Sequence, residues 1–236
     1  MALPQFDVPR YPVLIPSLSK EFTMRPYLVK EEKVLLIALE SEDPVQIALA
    51  IRNLINSCIE GKDLDLEALT AFDIEWLFLQ LRGISVGESM NLTHKCTECE
   101  HENPITINTN DVKLSDYDPE GNIIKLGGNI GVTMGYPSLE VINEVGVDRL
   151  DSLEGLMEII TRCIVNIFDD ENVYDAKKEN IEEVTDFIES LTSDQFKMIS
   201  SFFSKTPRLE YDIDYSCAGC EHENHIELRG LNSFFT

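Results

Sequence analysis

The sequence predicts an α+β chain: an N-terminal helical bundle, a ribbon-like pair of cysteine knuckle hairpins, and a mixed, mostly helical insertion between them. Three observations predict it. Apolar residues recur at helical spacing through residues 29–85. The octapeptide CTECEHEN at 96–103 returns as CAGCEHEN at 217–224, each copy flanked by stretches of alternating polarity. Helical periodicity then resumes between 138 and 205, inside the span that separates the two copies.

In chain order, Pro4, Pro9, Pro12 and Pro16 predict an extended arm over 1–27, with EFTMRPYL a short strand or turn. A helical domain follows over 28–86. VKEEKVLLIALES (29–41) opens with acids and carries apolar residues at helical spacing, and Glu-Asp-Pro at 42–44 ends it and starts the next helix. In that helix Ile47, Ala50, Ile51, Leu54, Ile55 and Cys58 mark one apolar face, and Gly61 is a stop. A third helix is predicted over 71–85, with Thr70 as its cap and Phe72, Trp76 and Phe78 as core.

From Gly87 the texture changes to β. Residues 87–109 and 208–230 read as two hairpins, each bent around C-x-x-C, which together form one module. The intervening 110–207 contain a predicted hairpin at 121–136 and helices at 138–146, 150–168, 181–191 and 193–205. Residues 231–236, LNSFFT, form a short apolar tail suited to docking on a neighbour.

A C-x-x-C turn between two strands directs both sulfurs inward, and two such knuckles facing each other supply four thiolates to one tetrahedral Zn²⁺. Cys96, Cys99, Cys217 and Cys220 are therefore the candidate ligands of one structural zinc per chain, in a zinc-ribbon-like arrangement. An alternative gives each knuckle its own ion with help from His101 and His94, or His222 and His225; another leaves the knuckles metal-free. Redox chemistry fits poorly, because a reactive C-x-x-C belongs at a helix N-terminus. Cys58 and Cys163 lie on apolar helix faces and read as core.

Forty-three acids against nineteen bases give a net charge of −24, which repels phosphate backbones and anionic lipid and argues against nucleic-acid or membrane partners. No apolar run approaches the roughly 20 residues that span a bilayer, and the N-terminus lacks the pattern of a signal peptide. A reducing compartment is therefore expected, where paired cysteines are metal ligands more often than disulfides. The sequence has no phosphate loop, no nucleophile elbow and no H-E-x-x-H, so no catalytic residue is assigned.

The run PSLSKEFTMRPYLVKEEKVLLIALESED, followed by DLEALTAFDIEWLFLQLRGISVGE and then C-x-x-C, resembles the T4-type bacteriophage baseplate hub family. Arg25, Pro26, Lys30, Glu31, Glu32, Lys33, Phe72, Asp73, Leu77, Phe78, Leu81, Arg82, Ser85 and Gly87 occupy its motif positions. The resemblance is specific over about residues 10–100 and at the second knuckle, and weak between about 110 and 205. Where the family often has Gly after the second Cys of a knuckle, this chain has Glu100 and Glu221. The resemblance implies a non-enzymatic component of a contractile-tail baseplate hub, made in host cytoplasm and built into the virion. An assembly chaperone that leaves before maturation is the alternative. Other hub and tail proteins are its implied partners, with a tape-measure protein and a second copy of the chain as further candidates. Within the motif, Arg25, Lys30 and Lys33 are expected to pair with Glu31, Glu32 or Asp73 and fix the first helix against the third.

Overall fold

The computed structural model describes residues 6–61, 64–115, 122–146, 149 and 152–234. The chain divides into two compact units: Met1–Leu66, Phe72–Ser115 and Arg208–Thr236 form one, and Glu67–Ala71 with Asp116–Pro207 form the other.

The first unit opens with β1 (Tyr11–Ile15) and β2 (Lys20–Met24), an antiparallel hairpin whose turn places Ser19 at φ 48°. Pro12 and Pro16 thus belong to a hairpin that folds back on itself instead of to a free arm, and Pro4 lies outside the described residues. Val13, Ile15 and Met24 are buried, while Tyr11 and Leu14 are exposed. Helices α1 (Val29–Glu40) and α2 (Pro44–Cys58) follow and pack on each other. Asp43 caps α2 by accepting the Val45 N–H at 2.9 Å, with Pro44 in the first turn. The two-residue strand β3 (Ile59–Glu60) adds to β2. Helix α3 (Ala71–Val86) is buried over most of its circumference, including Phe72, Leu77, Phe78, Leu79 and Leu81. Trp76 is only partly buried, and its indole N–H donates to the Leu14 carbonyl at 3.1 Å, tying the hairpin to α3.

Arg25 organises the start of α1. Its guanidinium donates twice to the Glu31 carboxylate, at 2.8 and 3.0 Å, and also to the Pro26 and Ser57 carbonyls. Glu31 in turn accepts the Leu28 N–H at 2.7 Å, half of a capping box. Part of the expected ionic network therefore exists, but it links α1 to the end of α2. Asp73, buried on α3, accepts the Ser17 N–H at 3.0 Å, and Lys30 and Lys33 are exposed.

Strands β4 (Ser89–Lys95) and β5 (Glu102–Asn108) pair in continuous antiparallel register around the first knuckle. Ile105, Ile107 and Met90 face inward. The short β6 (Lys113–Leu114) ends this half of the unit.

The second unit is a four-stranded antiparallel sheet with helices. Strands β7 (Ile123–Gly127) and β8 (Ile130–Met134) form the expected hairpin around Gly128, at φ 56°. Helix α4 (Leu139–Val145) is capped by Ser138, and α5 (Leu153–Cys163) by Ser152. Sequence periodicity extended this last helix to residue 168. Instead it stops at Cys163, and β9 (Ile164–Phe168) pairs with β8 on one side and β10 (Val173–Asp175) on the other, in the order β10-β9-β8-β7. Residues 150 and 151, where that helix was expected to begin, and 121, the first of the hairpin segment, lie outside the described residues. Helices α6 (Ile181–Glu189) and α7 (Ser193–Phe203) complete the unit; Thr192 caps α7 through a reciprocal pair with Gln195. The core comprises Val132, Met134, Ile160, Ile164, Val184, Ile188 and Ile199, with Cys163 among them.

The chain returns to the first unit as β11 (Leu209–Ser216) and β12 (Glu223–Arg229), the hairpin of the second knuckle, with β6 on the far edge of β11. Residues 235 and 236 of the tail lie outside the described residues. Leu231–Phe234 form a 3-10 turn in which Leu231 and Phe234 are buried. Among the described residues there are seven helices and twelve strands in four sheets, an α+β chain, and no helix is long and apolar enough to cross a membrane.

Candidate metal centre

Each knuckle is built by the same local rule. The N–H of the first cysteine donates to the carbonyl of the histidine five residues on, at 2.9 Å in both copies (Cys96 to His101, Cys217 to His222). The N–H of the glutamate after the second cysteine turns back to the first cysteine's carbonyl, at 3.0 Å for Glu100 and 2.9 Å for Glu221. Closing so tight a loop requires a left-handed residue, and Glu100 and Glu221 adopt φ 57° and 59°. These are the positions where the sequence departs from glycine; the geometry is kept at the cost of backbone strain.

The two knuckles face each other and bring all four cysteines together. Their sulfurs lie within 4.8 Å of one another. Sulfurs of opposite knuckles approach in two crossed pairs, Cys96 to Cys220 and Cys99 to Cys217, each at 3.7 Å. A tetrahedral ion with metal–sulfur bonds of about 2.3 Å sets its ligands about 3.8 Å apart, so the spacing matches a four-sulfur site. All four are free thiols, Cys96 and Cys217 buried and Cys99 and Cys220 exposed at the rim. Among the described residues this is the one cluster of His, Cys, Asp or Glu side chains close enough to share an ion, and no histidine joins it.

Electrostatics point the same way. Burial opposes ionisation of Cys96, yet the N–H groups of Cys99 and Glu98 and the Asn224 amide outweigh it and lower its pKa to about 6. Cys217 is lowered likewise: against its burial stand the N–H groups of Gly219 and Cys220 and the Asn103 amide. At the rim the balance reverses. The His222 N–H favours the Cys220 thiolate, but the sulfurs of Cys99, Cys96 and Cys217 push its pKa up to about 12. The His101 N–H does the same for Cys99, which is nonetheless raised, with Cys217 and Cys96 opposing it. Four sulfurs this close ionise together only around a cation, and four thiolates with no open position form a closed, structural site. The cluster can therefore hold one metal ion.

Two residues that residue-by-residue inspection of the motif missed complete the site. Asn103 and Asn224, the final residues of the two E-H-E-N repeats, are buried and reach across to the opposite knuckle. Asn103 donates to the Cys217 sulfur at 3.6 Å and to the His101 carbonyl at 2.8 Å, and accepts the Ala218 N–H at 2.9 Å. Asn224 donates to the Cys96 sulfur at 3.6 Å and to the His222 carbonyl at 2.9 Å, and accepts from the N–H and hydroxyl of Thr97. The signal was present in the identity of the repeat beyond the cysteines.

The histidines take other roles. His101 and His222 are exposed; their backbone N–H groups, not their rings, reach the sulfurs of Cys99 and Cys220. The His101 ring lies over Gly219, where an added Cβ would stand 2.9 Å from its Cγ. His94 meets the Tyr215 hydroxyl through Nδ1 at 2.9 Å, a further contact between the hairpins. His225 pairs with Asp214 at 2.7 Å, which raises its pKa.

Comparison with curated proteins gives no match, and neither does comparison with solved structures. A family model described as T4 bacteriophage base plate protein matches residues 8–236, nearly the whole chain. The chain belongs to the T4 bacteriophage base plate protein family.

Proposed function

We propose that the chain is a non-enzymatic structural component of a contractile-tail baseplate hub, stabilised by one Zn²⁺ on Cys96, Cys99, Cys217 and Cys220. The family match supports a baseplate role. The observation that carries the metal reading is the convergence, within 4.8 Å, of four thiols from hairpins more than a hundred residues apart. Bound there, zinc clamps β4–β5 to β11–β12 and closes a loop of more than a hundred residues. Because the ligands are preorganised only when both hairpins are folded, ion binding contributes folding free energy. Asn103 and Asn224 hold the two buried sulfurs, so the clamp has a protein half as well as a metal half.

The partners in this reading are other baseplate hub and tail proteins, including a tape-measure protein. Quantitative mass spectrometry of purified tails against assembly intermediates tests it. A stoichiometric presence in finished tails is expected. Presence in intermediates alone would instead identify a departing assembly factor, and normal tails formed without the protein would contradict a role in the baseplate.

A further inference from the structure

Helix α1 is apolar on two sides, and only one is covered. Leu35 and Ala38 face the interior. On the opposite side Val29 is 81% exposed, Ile37 57% and Leu36 52%. Val45 and Leu49 of α2 are exposed as well, and eight of the twenty exposed large apolar side chains of the described surface fall between residues 28 and 49. That leaves apolar surface on the order of several hundred square ångströms, the size that marks an interaction surface.

The charges on this face identify what covers it. Val29, Lys33, Leu36 and Glu40 share one stripe at successive helical turns, with Lys30 near its start and Glu42 and Asp43 just past its end. Lys30, Lys33 and Glu40 are exposed. Along the stripe Lys33 precedes Leu36 and Glu40 follows it, with half-buried Glu32 flanking Leu36 one turn earlier. Such a face complements its own antiparallel copy. A two-fold axis between Leu36 and Ile37 sets each against the other, places Lys33 opposite Glu40 twice, and turns Lys30 toward the Glu42–Asp43 turn. Parallel pairing would set like charges together.

We propose that the exposed face of α1 is a homodimer interface, formed by antiparallel packing of α1 against α1 of a second copy, with Lys33 and Glu40 fixing its direction. The arrangement requires no metal, so its failure would leave the zinc reading untouched.

Sedimentation of the full-length chain tests it. The wild type is expected to sediment as a dimer. Lys33→Glu and Glu40→Lys, each setting like charges together, should each weaken the dimer roughly tenfold, because the two-fold axis doubles every contact. The double variant, Lys33→Glu with Glu40→Lys, should restore it. Leu36→Glu should give a monomer with unchanged circular dichroism. A wild type that stays monomeric at every concentration overturns the proposal, as do reversals whose losses add in the double variant. Monomeric chains that lose binding to another purified tail protein through Leu36→Glu would also overturn it, by showing that a different protein covers the face.

Discussion

Asn103 of the first knuckle holds the Cys217 sulfur of the second at 3.6 Å, and Asn224 returns the contact to Cys96 at the same distance. Each hairpin thus positions a ligand on the other, and neither half of the cluster is complete alone. This reciprocity explains why the repeat runs through E-H-E-N and does not stop at its cysteines.

The crossed amides give the first prediction. Asn103→Ala removes the contact to Cys217 and leaves the Ala218 N–H without its acceptor. The expected cost is about 1–3 kcal/mol in stability and a metal affinity lower by roughly 10–100-fold. Competition with a chromophoric chelator measures the affinity. Asn224→Ala should behave alike, and unchanged affinity in both would show that the amides only pack.

The strained glutamates give the second. Glu100 and Glu221 sit at positive φ, where glycine carries no Cβ penalty. Glu100→Gly and Glu221→Gly are each expected to raise stability by up to about 1 kcal/mol in denaturant unfolding of the metal-loaded protein. A loss of that size would mean that these side chains make contacts that outweigh the strain.

A third concerns His101 above Gly219. Gly219→Ala forces a Cβ to within 2.9 Å of the ring, and overpacking of this kind costs about 1–3 kcal/mol. His101→Ala in the same chain should recover most of it. If the double variant is no more stable than Gly219→Ala alone, the ring is not what excludes a side chain there.

The Arg25–Glu31 pair gives a pH dependence. The Arg25 hydrogen bonds hold the Glu31 carboxyl below its ordinary value of 4.5, with burial opposing. The carboxylate therefore stabilises the fold above pH 4.5, and that contribution is lost as pH falls through the lower folded value. Glu31→Gln should lower stability at neutral pH by about 1–3 kcal/mol, with the gap to wild type closing in acid. A gap that is constant across pH would assign the effect to packing.

Much of the architecture was legible because its causes are local. Helices α1, α2 and α3 follow from apolar spacing, Asp43 and the proline at 44, and both knuckle hairpins follow from alternation around C-x-x-C. Residues 164–168 were misread because IVNIF continues an apolar run at both helical and strand spacing. Pairing with β8 and β10, a non-local cause, decides for strand. The four cysteines were legible from spacing and repetition. The role of Asn103 and Asn224 was not, since a reach across the pair depends on how the two hairpins face each other. Arg25 could be matched to Glu31 by sequence, but its bonds to the Pro26 and Ser57 carbonyls come from the way α2 ends.

Metal content of the purified chain tests the central claim most directly. Elemental analysis of protein isolated without chelator should return one zinc per chain, and none after Cys96→Ser, with β11–β12 becoming protease-sensitive along with β4–β5. Two zinc ions per chain, no zinc, or a second hairpin whose resistance survives Cys96→Ser would contradict a single clamp shared by both knuckles.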